Sequence, residues 1–165
     1  MGGTIGLSSQ VGAGSTFWFT LTCDKGGPIA ERLKRQNKSN FILLADDNPI
    51  NQKIAVRMVQ SLGYRAQSVA TGREVLSALR ERSYELVLMD CQMPDLDGFE
   101  TTAKIRLDLQ SPFNRIPIIA MTASVTEEDK SRCLACGMND YLSKPVKPSD
   151  LEAVIERNLI GTHSG

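Results

Sequence analysis

Histidine occurs once in the chain, as His163 in a Gly/Ser-flanked tail, and cysteine four times, at Cys23, Cys91, Cys133 and Cys136. Cys133 and Cys136 have C-x-x-C spacing, but a zinc site needs a second such pair, so the thiols read as small packing residues. No apolar run approaches the roughly 20 residues of a membrane-spanning helix, and no basic segment with an apolar core opens the chain. A cytoplasmic location is therefore expected, without membrane contact by this stretch, although the parent protein could be anchored through other segments. Neither sign of charge is in excess: 19 Lys plus Arg balance 19 Asp plus Glu among 165 residues. That balance argues against a nucleic-acid binder held by phosphate neutralisation and against a polybasic membrane anchor. There is no Gly-rich phosphate loop and no internal repeat.

The charge that is present falls in blocks. Residues 1–22 carry none, whereas residues 23–40 hold Lys25, Arg32, Lys34, Arg35 and Lys38 against Asp24 and Glu31. With Gly26, Gly27 and Pro28, this second block reads as a solvated linker. The uncharged block alternates as strands do, placing Ile5 and Leu7, then Phe17, Phe19 and Leu21, on one face around a Val11-Gly12-Ala13-Gly14 turn. It reads as one hairpin, marginal alone, and so as the remnant of a larger domain. A working domain is expected over residues 41–161, followed by a tail at 162–165. A domain of about 120 residues buries roughly two thirds of its unfolded surface, enough for a core without staples.

From Phe41 onward, strand-like runs alternate with helical periods, the pattern of a βα-repeated parallel sheet with helices on both faces. The runs are Phe41–Ala45, Tyr64–Ala70, Leu86–Met89, Ile116–Met121 and Asp140–Lys144. The first, third and fourth are nearly unbroken apolar stretches, as central strands are. Polar residues enter the second and fifth, which suits sheet edges and the order 2-1-3-4-5. Helix starts are signalled by Thr71 with Glu74, Thr126 with Asp129, and Ser149 with Glu152; Gly63 and Gly137 mark helix ends. In the first helix Ile50, Ile54, Ala55, Met58, Val59 and Leu62 form one stripe, read as core.

In open α/β sheets, ligands bind beyond the carboxyl ends of the strands where strand order reverses. Strand one ends in Asp46-Asp47, strand three in Asp90, strand four in Thr122 and strand five in Lys144-Pro145. Three carboxylates gathered there repel; at about 5 Å and an effective dielectric of about 20, each pair costs about 3 kcal/mol. Lys144 and Mg²⁺, which favours oxygen ligands and retains exchangeable waters, would offset this. Asp90 could then act as a nucleophile toward phosphorus, with Lys144 and Thr122 stabilising the phosphoryl oxygens.

These residues resemble the receiver domains of two-component phosphorelays, specifically those of hybrid sensor histidine kinases. The likeness rests on Leu44-Ala45-Asp46-Asp47-Asn48-Pro49-Ile50-Asn51-Gln52, on Leu88-Met89-Asp90-Cys91-Gln92-Met93-Pro94-Asp95-Leu96-Asp97-Gly98, on Met121-Thr122-Ala123 and on the run Gly137–Pro145. It implies a flavodoxin-like fold in which Asp90 accepts a phosphoryl group from a phosphohistidine domain and a histidine phosphotransfer protein takes it onward. It implies direct Mg²⁺ ligation by Asp47, Asp90 and the Gln92 carbonyl, help from Asp46 through water, and a cis Lys144-Pro145 bond. It implies phosphoryl contacts from Thr122 and Lys144, and Tyr141 as an aromatic switch answering Thr122. The first block is similar to the last hairpin of a histidine-kinase ATP-binding domain. Without that domain's nucleotide boxes the chain supports only its own phosphorylation and dephosphorylation. An aspartate-dependent phosphohydrolase is the enzymatic alternative, but would carry two aspartates one residue apart on the first strand. A degenerate receiver used only for docking is the other, and would lack one of the residues present here.

Overall fold

The computed structural model describes residues 3–10, 14–21, 41–108, 111–123 and 126–160, the first two stretches as backbone only. The linker expected at 23–40, residues 11–13 of the expected turn and the tail expected at 162–165 lie outside them. The chain divides into two compact units, residues 1–34 and 35–165.

In the first unit, β1 (Gly3–Gln10) and β2 (Gly14–Leu21) form an antiparallel pair. Its register sets Ile5 opposite Phe19 and Leu7 opposite Phe17, as the alternation predicts.

The second unit is a five-stranded parallel sheet with a helix after each strand. The elements run β3 (Phe41–Ala45), α1 (Pro49–Ser61), β4 (Arg65–Val69), α2 (Gly72–Glu81), β5 (Leu86–Asp90) and α3 (Gly98–Leu107). They continue with β6 (Ile118–Thr122), α4 (Glu127–Ala135), β7 (Asp140–Ser143) and α5 (Pro148–Ile160). The order β4-β3-β5-β6-β7 is the expected 2-1-3-4-5. Every residue of β3 and β5 is buried, while the edge strands β4 and β7 are mostly half-exposed. Two apolar layers result. Leu43, Val87, Met89 and Ile118 pack on one side with Val75 and Ile105. Ile42, Leu44, Leu88 and Ile119 pack on the other with Val59, Leu151 and Ile155.

Three expectations need correction. Ile50 and Ile54 are not core: they are 66% and 49% exposed, and the buried residues of α1 are Ala55 and Val59. Ile50 precedes Val59 by nine residues, two and a half turns at about 3.6 residues per turn, so the two project to opposite sides. Ser149 does not cap α5, which starts at Pro148; Ser149 lies in the first turn and its hydroxyl reaches Asp150. Pro148 suits that first position, having no amide hydrogen to leave unpaired. Strand limits also shift: Tyr64 donates its N–H to the Val59 carbonyl at the end of α1, and Ile116 donates to Phe113 in a turn, so neither enters the ladder.

The other helix signals act as read. Thr126 and Asp129 form a reciprocal box, and Thr71 accepts from the Glu74 N–H, although the Glu74 carboxylate reaches back to Ala70. Gly63 and Gly137 have φ of 87° and 99°, the left-handed geometry of a helix C-terminus that L side chains resist.

Candidate functional site

The sheet register brings the site residues level. Ala45 pairs with Met89, Asp90 with Met121, and Thr122 with Ser143. Asp46, Asp90, Thr122 and Lys144 are thus carried to adjoining strand ends, with Lys144 one residue past β7 and followed by a cis bond to Pro145. β4 lies beyond β3 and contributes no side chain to this cluster.

Asp46 is 2% exposed and fully partnered. Its Oδ1 accepts from the Asn48 N–H at 2.9 Å and the Asn51 amide at 3.2 Å, and its Oδ2 accepts from Lys144 Nζ at 2.8 Å. Gln52 donates to the Asp46 carbonyl at 2.7 Å, fixing the turn from β3 into α1. Asn48 caps that helix by accepting from the Ile50 N–H. Asp90 is 6% exposed, with its Oδ2 2.5 Å from Lys144 Nζ and its Oδ1 accepting from the Gln92 N–H at 3.1 Å. Lys144 therefore bridges two buried carboxylates, while Asp47, next in sequence, is exposed. One oxygen from each of Asp46, Asp47 and Asp90 lies within 4.8 Å of the others.

Burial pushes the Asp90 carboxyl above the ordinary carboxylate range, and the Lys144 hydrogen bond offsets only part of that. Burial also works against the Lys144 ammonium, but its hydrogen bonds to Asp46 and Asp90 outweigh it and hold the pKa above the usual lysine value.

A cleft of about 680 Å³ opens over these strand ends, lined by Asp47, Asp90, Gln92, Thr122 and Lys144 among others. The loop from β5 to α3 forms one wall and must pass close to the strand end. Gly98 donates its N–H to the Cys91 carbonyl at 3.2 Å, and a Cβ there would fall 2.2 Å from the Asp90 carbonyl oxygen. Asp97 then caps α3 in a reciprocal box with Glu100.

Tyr141 does not line this cleft. It packs against the α3/α4 side of the core, while its neighbour Leu142 belongs to the opposite layer, as strand alternation predicts. Lys130 Nζ sits 5.4 Å from its ring centre. The cysteines Cys91 and Cys133 are free and buried, in keeping with a packing role.

Two arginines escaped the sequence reading. Arg132, from α4, lines the cleft with its guanidinium 4.0 Å from the centre of the Phe99 ring. Arg106 donates to the carbonyls of Gly137, Asn114 and Ile116 and to the Asn139 side chain, at 2.8–3.0 Å. No spacing announces either, because their partners are distant in sequence.

A parallel order 2-1-3-4-5 with three acids and a lysine gathered at the strand ends defines an open α/β module with one acidic, lysine-bridged rim. The chain belongs to the response regulator receiver domain family, whose model matches residues 42–156. It is 35% identical to hybrid signal transduction histidine kinase K of Dictyostelium discoideum over 94% of this chain and 14% of that protein. It is 36% identical to the sensor histidine kinase RcsC of Salmonella typhimurium over 72% of this chain and 12% of that protein. The chain thus spans a small fraction of the curated relatives it matches. A solved receiver domain, that of sensor histidine kinase PA1611 from Pseudomonas aeruginosa with a magnesium ion in its active-site cleft, is 41% identical. It covers 74% of this chain and 98% of that one, with a TM-score of 0.67. Chemotaxis protein CheY4 of Vibrio cholerae, 28% identical, matches with a TM-score of 0.69 over 74% of this chain and all of that one. Residues 42–156 are a two-component signalling receiver of the kind found in hybrid histidine kinases. No helix among the described residues is long and apolar enough to cross a membrane.

Proposed function

We propose that Asp90 is the phosphoacceptor, taking a phosphoryl group from a phosphohistidine and yielding it to a histidine phosphotransfer protein. In the forward step the phosphorus–nitrogen bond breaks, a bond from Asp90 Oδ to phosphorus forms, and the imidazole leaves with the electron pair. The observation that carries this reading is the Lys144 bridge, which holds Asp90 Oδ2 at 2.5 Å in the open cleft while tying Asp46 beside it. A carboxylate already stripped of much of its water has little solvent to shed before attack. Lys144 opposes the charge that builds on the phosphoryl oxygens, and the Thr122 hydroxyl can donate a charge-assisted hydrogen bond to one of them.

The donor set fits Mg²⁺: the three carboxylate oxygens are hard ligands close enough to share one ion. Asp47, Asp90 and the Gln92 carbonyl would hold the metal. Asp46, whose oxygens already accept three hydrogen bonds, would act through water. Bound Mg²⁺ supplies neutralisation of phosphoryl charge.

In the same reading Tyr141 is the switch aromatic, moving inward as Thr122 turns toward a phosphorylated Asp90. Residues 1–22 are then the last hairpin of a kinase ATP-binding domain, 23–40 a linker, 41–161 the receiver and 162–165 a tail. The parent is a cytoplasmically facing hybrid kinase.

The test of this reading is labelling of the full chain by a small phosphodonor with Mg²⁺. Asp90→Asn abolishes it, and Asp47→Ala weakens Mg²⁺ titration more than Asp46→Ala does. Undiminished label on Asp90→Asn would overturn the assignment.

A further inference from the structure

The cleft has lining residues beyond the acid cluster, with a chemistry of their own. Among them are Phe99, at the start of α3, and Arg132, on α4. The two are not independent: the Arg132 guanidinium lies over the Phe99 ring at 4.0 Å, a cation–π stack that restrains a side chain otherwise exposed to water. Of the side chains lining the cleft, two are cationic, Lys144 and Arg132. Lys144 is committed to Asp46 and Asp90. The lining acids Asp47, Asp90, Asp97 and Asp129 outnumber them, and Mg²⁺ held by Asp47 and Asp90 would leave Asp97 and Asp129 to repel an entering anion.

Resting on the phosphoacceptor reading above, we infer that Arg132 is a specificity-determining residue for the phosphodonor. Held on Phe99, it offsets the acids lining the cleft and favours dianionic small donors, such as acyl phosphates, over donors of lower charge. A free cavity of 680 Å³ is about 11 Å across if round, comparable with the roughly 10 Å screening length at 0.1 M salt. A charge on one wall therefore acts on an anion anywhere inside, and the action is salt-sensitive. Transfer itself is unchanged: the acyl phosphate's oxygen–phosphorus bond breaks, the Asp90 Oδ–phosphorus bond forms, and the carboxylate departs with the electron pair.

The test compares two donors at low salt with Mg²⁺ on the full chain: acetyl phosphate, a dianion at neutral pH, and phosphoramidate, which carries one negative charge less. Arg132→Ala is expected to slow labelling by acetyl phosphate about fivefold more than labelling by phosphoramidate, the scale of one charge pair several ångströms apart at intermediate dielectric. Arg132→Glu should widen the ratio, Arg132→Lys should largely restore it, and 0.5 M salt should collapse it. Equal slowing with both donors, an unchanged ratio, or a ratio indifferent to salt would overturn the inference while leaving Asp90 as acceptor. Failure of both donors to label the wild-type chain would instead overturn the phosphoacceptor reading beneath it. Since phosphoramidate labelling also reports folding and metal binding, a variant damaged in either loses both rates together and counts against a charge effect.

Discussion

Asp46 and Asp47 are adjacent in the chain and opposite in environment. Asp46 is buried under three donors and Asp47 faces water, because the residue after β3 points into the sheet end and the next one turns outward into α1. Their alanine variants should accordingly diverge in stability. Asp46→Ala removes the acceptor of the Asn48 N–H and the Asn51 amide and one of the two carboxylate partners of Lys144, and is expected to cost about 2 to 3 kcal/mol by urea denaturation, whereas Asp47→Ala should cost nothing and relieve repulsion. Asp90 behaves differently again. Its pKa is raised in the fold, so its favourable contribution is present below the unfolded value of about 3.9 and is lost as pH rises through the folded value. Asp90→Asn should therefore melt higher than wild type at pH 7 in EDTA, the gap closing as pH falls below 4. Lys144→Met leaves two buried carboxylates facing each other and should lower the melting temperature under the same conditions. Melting curves of these variants across pH check both signs, and a destabilised Asp90→Asn at neutral pH would show that the Lys144 bond outweighs desolvation.

Among the elements, α1 shows most clearly what the sequence can and cannot reveal. Its apolar content was legible, but its apolar residues wrap around more than one face, and only packing against β3 and β4 decides that Val59 is inside and Ile50 outside. Val59→Ala should cost about 2 to 3 kcal/mol. The double variant Ile50→Ser, Ile54→Ser should stay within about 0.5 kcal/mol of wild type, since both side chains are largely in water. The strand order and the acids at strand ends were readable because burial on both faces leaves continuous apolar runs, and because a parallel sheet gathers its carboxyl ends at one rim. Arg106 and Arg132 were not readable, since each is defined by partners on other elements. Arg106 joins the end of α3 to the segments entering β6 and β7 through four hydrogen bonds from a half-buried guanidinium. Arg106→Ala is expected to cost about 3 kcal/mol, and Arg106→Lys to recover little of it because an ammonium cannot span that fork.

At the scale of the molecule, the parallel sheet of the second unit would present one reactive carboxylate, the proposed phosphoacceptor Asp90. Tyr141 packs against the core with Lys130 beside its ring on the β7/α4 face, so a shift of the Tyr141 ring would alter a surface away from the cleft, as a change in populations of pre-existing states. Beryllofluoride with Mg²⁺, standing in for the phosphoryl group, should move backbone amide NMR shifts along α4 and β7 in the wild type and much less in Thr122→Ala; shifts confined to the surroundings of Asp46, Asp90 and Lys144 would remove the switch from the account. The most direct measurement is mass spectrometry of the full chain after acetyl phosphate and Mg²⁺, with peptide mapping of the modified residue. One phosphoryl group is expected, on Asp90, absent when Mg²⁺ is chelated and absent from Asp90→Asn. A phosphoryl group on another residue, or label on Asp90→Asn at the wild-type level, would contradict it.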